Sequence, residues 1–324
     1  EGVISIALRS AVLVVSGLLV ALAVRAYRAR PARRPETLAM LIVASFVVSY
    51  GAQLARGATR GTPLPSLGMH APGSTEIERH PGRPRAHYRF NRHGFRGPDW
   101  PVEAQGPRLC LIGDSFVFGS GVEWPDTLGE RLRPELERAG HAGVEVLSLG
   151  VAGHNLRSHV TLCDHAARAL HCSALVLALT LPNDLSAWDI NTEVERRAQV
   201  GGYSLTELAL GPEVPALIWN TGELARGIGP SELAVLTREW HRLRALRAQG
   251  PRPPILVLSY FAAAVPWESL PAVPDLRVDT DSPRDDAMFI PGDGHPSAHG
   301  NTVLARWLAG VLASDPRFAR ALRP

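Results

Sequence analysis

The 324-residue chain is predicted to fold as a three-layer α/β/α sandwich with a mostly parallel sheet, preceded by two transmembrane helices. From residue 108 onward, short apolar runs alternate with longer amphipathic stretches, which is the pattern of parallel strands separated by helices. Before residue 56, two long apolar runs flank an arginine-rich stretch. A hydrophobic content of 45% with 20% charged residues indicates a sizeable buried core and excludes a disordered chain.

Each strand of the predicted sheet is a continuous apolar run, as expected for strands that are covered by helices on both faces. The runs are RLCLIG (108–113), VEVLSLG (144–150), ALVLALT (174–180) and PILVLSY (254–260). Helices are predicted over residues 127–140, 156–170, 231–248 and 301–313. Strands and helices therefore alternate along the chain, which favours a parallel sheet over an antiparallel one.

The first 55 residues predict a transmembrane hairpin. Residues 3–24 form an apolar run broken only by Arg9 near its end, and residues 37–55 form a second run without charge. About 20 apolar residues span a bilayer as a helix, and the five arginines within residues 25–36 predict a cytoplasmic loop. We therefore expect an inner-membrane protein whose main domain faces the periplasm. A signal peptide would explain one run only, whereas two buried helices of a soluble protein stay an alternative.

Composition divides the rest of the chain. Residues 56–87 are rich in glycine and proline and predict an extended linker, and residues 88–324 predict the globular domain, with an insert at about 185–250. Residues 1–60 carry a net charge of +6 and the remainder carries −3, so the folded domain has no excess of basic charge for nucleic acid. Three cysteines are too few for a disulfide-stapled scaffold.

Polar residues follow the predicted strands at the edge where parallel sheets form their sites. Asp114 and Ser115 follow the first strand, Gly153 the second and Asn183 the third, and Asp293 and His295 precede the last helix. An alcohol, an imidazole beside a carboxylate, a glycine amide and a side-chain amide are the groups that nucleophilic acyl transfer requires. The sequence therefore predicts an acyl-transfer site at this edge.

These blocks resemble the SGNH/GDSL hydrolase family over roughly residues 88–314, and YRFNRHGFRG (88–97) looks like the lead-in of membrane-tethered members. The resemblance implies that Ser115 is the nucleophile, His295 the catalytic base and Asp293 its carboxylate partner. It also implies an oxyanion hole formed by the Ser115 amide, Gly153 and Asn183. No metal or organic cofactor is implied.

The implied activity is a membrane-anchored acyl or acetyl esterase acting on an acylated carbohydrate or lipid of the cell envelope. One alternative is an O-acyltransferase that passes an acetyl group to a polysaccharide, supplied by a multi-span membrane partner. The other is a non-catalytic envelope scaffold or binding protein that keeps the fold.

Two positions depart from the family pattern. Leu181 stands where the third block usually begins with glycine, and Gly292 stands where the catalytic aspartate usually lies, three residues before the histidine. Asp293 lies two residues before His295, and Gly294 would let the turn bend to pair them. Asp281, Asp285 and Asp286 are the other candidates for the carboxylate partner. Asp114 is expected to cap the following helix rather than to act as a catalytic acid.

Residues outside these blocks also include candidates for a functional role. Cys163, His165, His171 and Cys172 resemble a metal cluster, but on one continuous helix the two cysteines would lie roughly 13 Å apart, against both a shared metal and a disulfide. Cys110, in the middle of the first strand, is expected to be an inert core residue. The insert carries Trp188, Trp219 and Trp240, which would form either a hydrophobic subcluster or an aromatic platform for a sugar or a lid. His299 is expected to face solvent.

Overall fold

The computed structural model describes residues 70–78, 85–101, 103–185, 228–260 and 265–323. Within them lie the strands β3 (Arg108–Gly113), β4 (Glu145–Gly150), β5 (Ala174–Leu179), β6 (Ile255–Ser259) and β7 (Leu276–Asp279). They form a five-stranded parallel sheet in the order β4–β3–β5–β6–β7, which confirms the predicted α/β class with a parallel sheet. The first four lie where the apolar runs predicted them.

Helices cover both faces of the sheet. The predicted helices are confirmed to within three residues at each end, and a one-turn helix and a C-terminal helix add to them. They are α1 (Ser115–Phe118), α2 (Leu128–Arg138), α3 (Leu156–Arg168), α4 (Pro230–Ala248), α5 (Ala298–Ser314) and α6 (Pro316–Ala321).

The core forms two layers because side chains alternate along each strand. On β3, Cys110 and Ile112 pack into a cluster with residues of α3 and α4. Leu109 and Leu111 of the same strand pack into a second cluster with residues of α2 and α5. Burying one such leucine contributes about 1.5–3 kcal/mol, so both faces of the sheet stabilise its position.

Part of the predicted linker is instead folded. A hairpin of β1 (Thr75–Glu78) and β2 (Ala86–Arg89) pairs the two strands antiparallel, with Thr75 opposite Arg89. Tyr88 and Ala86 of β2 are buried, with Phe90 and Phe118, in a small cluster of their own. Residues 75–78 and 86–87 of the predicted linker are therefore strands in the structure, and Pro72 and Gly73 form a turn before the first of them.

The fifth strand of the sheet, β7, was not predicted. It has four residues, and only Asp279 is buried, so it lacks the continuous apolar run of the inner strands. It lies at an edge of the sheet and pairs with β6 alone among the described strands.

The predicted transmembrane helices fall on residues 3–24 and 37–55, outside the described residues. Among the residues that the structure does describe, no helix has the length and apolar character needed to cross a bilayer.

Candidate active site

Ser115 is the first residue of α1, directly after β3. The Asp114 side chain caps this helix by accepting a hydrogen bond from the Phe116 N–H at 3.0 Å. The helix has a single turn and ends at Gly119, whose φ of +80° is left-handed. Ser115 is partly exposed although its neighbours on both sides are buried. The fold thus presents one hydroxyl at the carboxyl edge of the sheet.

The sheet makes room for this turn through two glycines at paired strand ends. Gly113 of β3 lies opposite Gly150 of β4. A Cβ on Gly150 would lie 2.2 Å from the Phe118 nitrogen, and one on Gly113 would lie 2.5 Å from Val117 Cγ2. Either side chain would displace α1, so both strands must end in glycine for α1 to pack against the sheet.

His295 meets Ser115 although the two residues are 180 positions apart in the chain. Its Nε2 lies 2.7 Å from Ser115 Oγ, and its Nδ1 lies 3.1 Å from an Asp293 carboxylate oxygen. The Phe116 ring packs beside the imidazole, with the ring centres 5.2 Å apart. This is the arrangement in which a carboxylate orients an imidazole that accepts a proton from a hydroxyl.

The turn that carries Asp293 and His295 needs two left-handed residues. Gly292 has φ of +75° and Gly294 has φ of +83°, on either side of Asp293. The Ile290 N–H donates to the His295 carbonyl at 2.8 Å, and the Asp293 N–H donates to the Ile290 carbonyl at 3.1 Å. Because the chain turns back at both glycines, the carboxylate two residues before His295 reaches its Nδ1.

The other candidate carboxylates lie elsewhere. Asp281, Asp285 and Asp286 are all exposed. Asp285 accepts a hydrogen bond from the Ala287 N–H and caps a 3₁₀ turn over Asp286–Met288. His299 is also exposed, at the start of α5.

The two further residues of the predicted oxyanion hole lie at the same edge of the sheet. Gly153 lies in the turn after β4, with φ of +81°, and this turn is closed by a hydrogen bond from the His154 N–H to the Val151 carbonyl. Asn183 begins a 3₁₀ turn after β5, and its Nδ2 lies 3.4 Å from an Asp114 carboxylate oxygen. The structure therefore joins Asn183 to the residue directly before Ser115.

Asp114 is a buried hub behind the nucleophile. Besides Asn183 and the Phe116 N–H, it accepts a hydrogen bond from Thr180 Oγ1 at 3.1 Å. Burial, together with the nearby Asp184 carboxylate, raises the pKa of Asp114 to about 7. Asp114 therefore caps α1, as predicted, and also contacts the loop after β5, which carries Asn183.

A second buried pair lies beyond this hub and was not predicted. His159 Nε2 of α3 lies 3.4 Å from Asp184 Oδ2, and both side chains are fully buried. The same oxygen accepts a hydrogen bond from the Thr180 N–H at 2.8 Å. The pair therefore ties α3 to the loop that follows β5. In the sequence, Asp184 stands beside Asn183, but nothing marks a single histidine on α3 as its partner.

The structure gives Cys110, which was expected to be an inert core residue, a disulfide partner that was not predicted. Helix α3 ends at Arg168, His171 takes a φ of +51°, and the chain returns to the sheet. Cys172 consequently forms a disulfide with Cys110, with the Cα atoms 6.0 Å apart. Cys163 stays a free, buried thiol, and burial raises its pKa to about 12. Within the described residues, no group of three or more possible ligands is placed to hold a metal ion.

The aromatic insert is described only in part, since Trp188 and Trp219 lie outside the described residues. Trp240 lies on α4, is buried in the core, and donates its indole N–H to the Pro271 carbonyl at 2.9 Å. Its ring packs against Trp267 with the centres 5.6 Å apart. For Trp240 the hydrophobic-cluster interpretation therefore applies, and the platform interpretation does not.

No protein-family model and no curated protein sequence matches the chain. Solved structures with similarity to it include an SGNH-hydrolase family esterase and carbohydrate esterases. The SGNH-hydrolase family esterase AlinE4 is 16% identical with a TM-score of 0.26, and the match covers 48% of this chain and 60% of AlinE4. The chain thus spans about 60% of the length of that relative.

Two further structures are similar over a larger part of the chain. An inhibitor-bound aryl esterase of M. smegmatis is 16% identical with a TM-score of 0.35, covering 64% of this chain and 99% of that one. A carbohydrate acetylesterase from Sinorhizobium meliloti is 14% identical with a TM-score of 0.35, again covering 64% and 99%. At these identities and TM-scores, the similarity to solved structures does not assign a function to this chain.

Proposed function

We propose that this chain is a serine ester hydrolase that works through a covalent acyl-serine. The observation that carries the proposal is the continuous chain of contacts from Ser115 Oγ to His295 Nε2 at 2.7 Å and from His295 Nδ1 to Asp293 at 3.1 Å. An exposed serine has an ordinary hydroxyl, whereas one that hydrogen-bonds to an oriented imidazole has a base to receive its proton.

In the proposed first step, Ser115 Oγ bonds to the ester carbonyl carbon while its proton moves to His295 Nε2. The negative charge then develops on the carbonyl oxygen, where the Ser115 N–H, the Gly153 N–H and the Asn183 amide would donate hydrogen bonds. The carbon–oxygen bond to the alcohol breaks, and His295 gives its proton to the departing oxygen. Asp293 holds the imidazole and stabilises its charged form.

In the second step, water attacks the acyl-serine while His295 takes one of its protons. The ester bond to Ser115 Oγ breaks, the carboxylic acid leaves, and the proton returns to Ser115. Asn183 is held for both steps by Asp114, because one N–H of its amide points at that carboxyl group. The second N–H of the same amide is then available to the substrate oxygen.

The first test is covalent labelling of the purified full-length chain by a fluorophosphonate probe, which reacts with activated serines. Wild-type protein is expected to incorporate the probe, and Ser115→Ala and His295→Ala to lose it while keeping the wild-type melting temperature. Ser120→Ala is a matched control, because Ser120 is a serine of the same loop to which no catalytic role is assigned. Absence of labelling in folded wild-type protein would favour the non-catalytic scaffold.

We further propose that the substrate is an acylated carbohydrate or lipid ester of the cell envelope, and that water accepts the acyl group. Hydrolysis and transfer differ only in the second step, where a sugar hydroxyl would replace water. Incubating the full-length chain with an acetyl ester and a polysaccharide separates them, because acetylated polysaccharide would indicate the transferase and free acetate alone the hydrolase. Transfer only in membranes that contain a multi-span protein would indicate the predicted acyl-donor partner.

We also propose that the domain lies on the periplasmic side of the inner membrane, tethered by residues 1–55. The two apolar runs and the arginine-rich loop between them support this orientation. A disulfide between Cys110 and Cys172 is consistent with an oxidising compartment. Protease added to spheroplasts is expected to degrade the domain without lysis; protection until lysis would reverse the orientation.

A further inference from the structure

One arginine of the segment before the sheet, Arg96, packs against the end of α1 and the loop that follows it. The Arg96 side chain is 2% exposed and donates to three main-chain carbonyls. Its Nη1 lies 3.0 Å from the Phe118 oxygen and 2.6 Å from the Gly119 oxygen, and its Nη2 lies 2.6 Å from the Val122 oxygen. All three carbonyls belong to the end of α1 and the loop that follows it.

Two aromatic rings enclose the guanidinium of Arg96. Its central carbon lies 4.2 Å from the centre of the Tyr88 ring and 5.3 Å from that of Phe118. Burial lowers the pKa of Arg96 to about 10, so the group stays charged at neutral pH. A planar cation with several fixed donors can hold separate carbonyls in one geometry, which a lysine ammonium does less well.

Neighbouring residues of the lead-in segment shape the loop that presents Arg96. Asn91 Oδ1 accepts hydrogen bonds from the Phe95 N–H at 3.1 Å and from a second main-chain amide of the loop. Gly97 has φ of +118°, and a Cβ there would lie 2.3 Å from the Trp124 ring. These contacts give Asn91 and Gly97 a structural role, because both residues allow the chain to approach the loop that follows α1.

The loop that Arg96 holds is bonded directly to Ser115. The N–H groups of Gly119 and Ser120 donate to the Ser115 carbonyl at 2.9 and 3.0 Å. A Cβ on Gly119 would lie 2.7 Å from Thr127 Cγ2 and 3.2 Å from Arg96 Nη1. The Arg96 guanidinium therefore fills the space beside Gly119, and Gly119 is itself hydrogen-bonded to the Ser115 carbonyl.

We propose that Arg96 is a positioning residue for Ser115: it fixes the carbonyls after α1 and thereby holds the serine hydroxyl at hydrogen-bond distance from His295. The role rests on the proposed serine chemistry and deepens it by adding a residue from outside the sheet. Because a displacement of about 1 Å can cost roughly 100-fold in rate, loss of this contact is expected to slow acylation. Substrate binding, in contrast, would change little.

The test compares Arg96→Lys with Arg89→Lys in the purified full-length chain. Arg89 is a matched control because it lies in the same 88–97 segment as Arg96 but is exposed. The measurements are the rate of fluorophosphonate labelling, kcat and KM for a chromogenic acetyl ester, and circular dichroism. For Arg96→Lys we expect labelling and kcat to fall by about 10- to 100-fold with little change in KM. Arg89→Lys is expected to match the wild type.

A second variant, Tyr88→Phe, keeps the ring over Arg96 and removes one of the two oxygens that accept from the Gly121 N–H, the Tyr88 hydroxyl at 3.0 Å; the other, a Glu78 carboxylate oxygen at 2.7 Å, stays. A smaller fall in labelling rate is expected, in the same direction. Wild-type labelling by folded Arg96→Lys would overturn the proposal. If Arg96→Lys does not fold, wild-type labelling by folded Arg96→Gln, which keeps an amide N–H donor but loses the planar cation, would overturn it. Absence of labelling in the wild type would instead remove the proposed function itself.

Discussion

The two halves of the candidate site are built by different means. On the nucleophile side, Ser115 and Asn183 follow inner strands of the sheet and are joined through buried Asp114. On the base side, Asp293 and His295 lie in a turn before α5 that is shaped by left-handed glycines. The first half depends on contacts between distant segments, and the second on local backbone conformation. Substitutions in the two halves should therefore act differently.

The largest effect is expected at the base side. Asp293→Asn should lower kcat by about 10⁴-fold, because an amide at this position no longer enforces the imidazole tautomer that accepts the Ser115 proton. The melting temperature should stay close to that of the wild type. Asp285→Asn is the control, since asparagine also caps a helical turn and Asp285 is exposed. Equal losses in the two variants would refute the assignment of Asp293 as the partner of His295.

On the nucleophile side, Asn183→Ala should lower kcat by about 10²- to 10³-fold with a small change in KM, because it removes one donor to the developing oxyanion. Steady-state kinetics with an acetyl ester would measure both constants. A rise in KM with unchanged kcat would mean that Asn183 binds the substrate in its ground state and does not serve the transition state.

Asp114→Asn tests whether the buried hub orients the oxyanion donor. Asparagine can keep the hydrogen bond from the Phe116 N–H, but its own amide would oppose the Asn183 amide as a second donor. We expect kcat to fall by roughly 10-fold, the scale of a lost hydrogen bond to a charged group. Unchanged kcat would show that Asn183 is positioned without Asp114.

The same variant has a pH signature in stability. The pKa of Asp114 is about 7 in the folded protein against 3.8 for an ordinary aspartate, so the folded state binds this proton more tightly than the unfolded chain. The stability that this proton contributes is present below about pH 4 and is lost as the pH rises through about 7. Melting temperatures of the wild type should therefore decline over this range more steeply than those of Asp114→Asn. Parallel curves would contradict the raised pKa.

The smallest effect is expected from Gly294→Ala. A Cβ at Gly294 would meet no atom within 4 Å, so the cost is backbone strain alone, about 1–3 kcal/mol in the free energy of unfolding. Activity should fall modestly, because the turn that pairs Asp293 with His295 is strained. Gly310→Ala is the control, since it also adds a methyl group in open space but within α5. Urea denaturation should show destabilisation for Gly294→Ala only.

The pattern of apolar residues was enough to predict four of the five strands and the main helices, because burial on both faces requires a continuous hydrophobic run. The edge strand β7 was missed for the same reason, since three of its four residues are only partly buried. The hairpin of β1 and β2 was mistaken for linker because its strands are short and lie among glycines and prolines.

The cysteines show where spacing along the chain misleads. Cys163 and Cys172 were compared with each other because they are close in sequence, whereas Cys172 bonds to Cys110, 62 residues away. The outcome depends on where α3 ends, and helix ends are among the features that a sequence defines least well. The free thiol of Cys163 instead packs within the core.

The sequence by itself determined the α/β class, four of the five strands of the sheet, and which polar residues follow them. The periodicity of apolar residues and the presence of turn residues are local properties of the chain, so neighbouring residues in the sequence are enough to recognise them. Only the tertiary structure decided that His295 faces Ser115 with Asp293 behind it, and that Arg96 holds the loop after α1. The acceptors of Arg96 are main-chain carbonyls, which every residue carries, so no side chain in the sequence marks them.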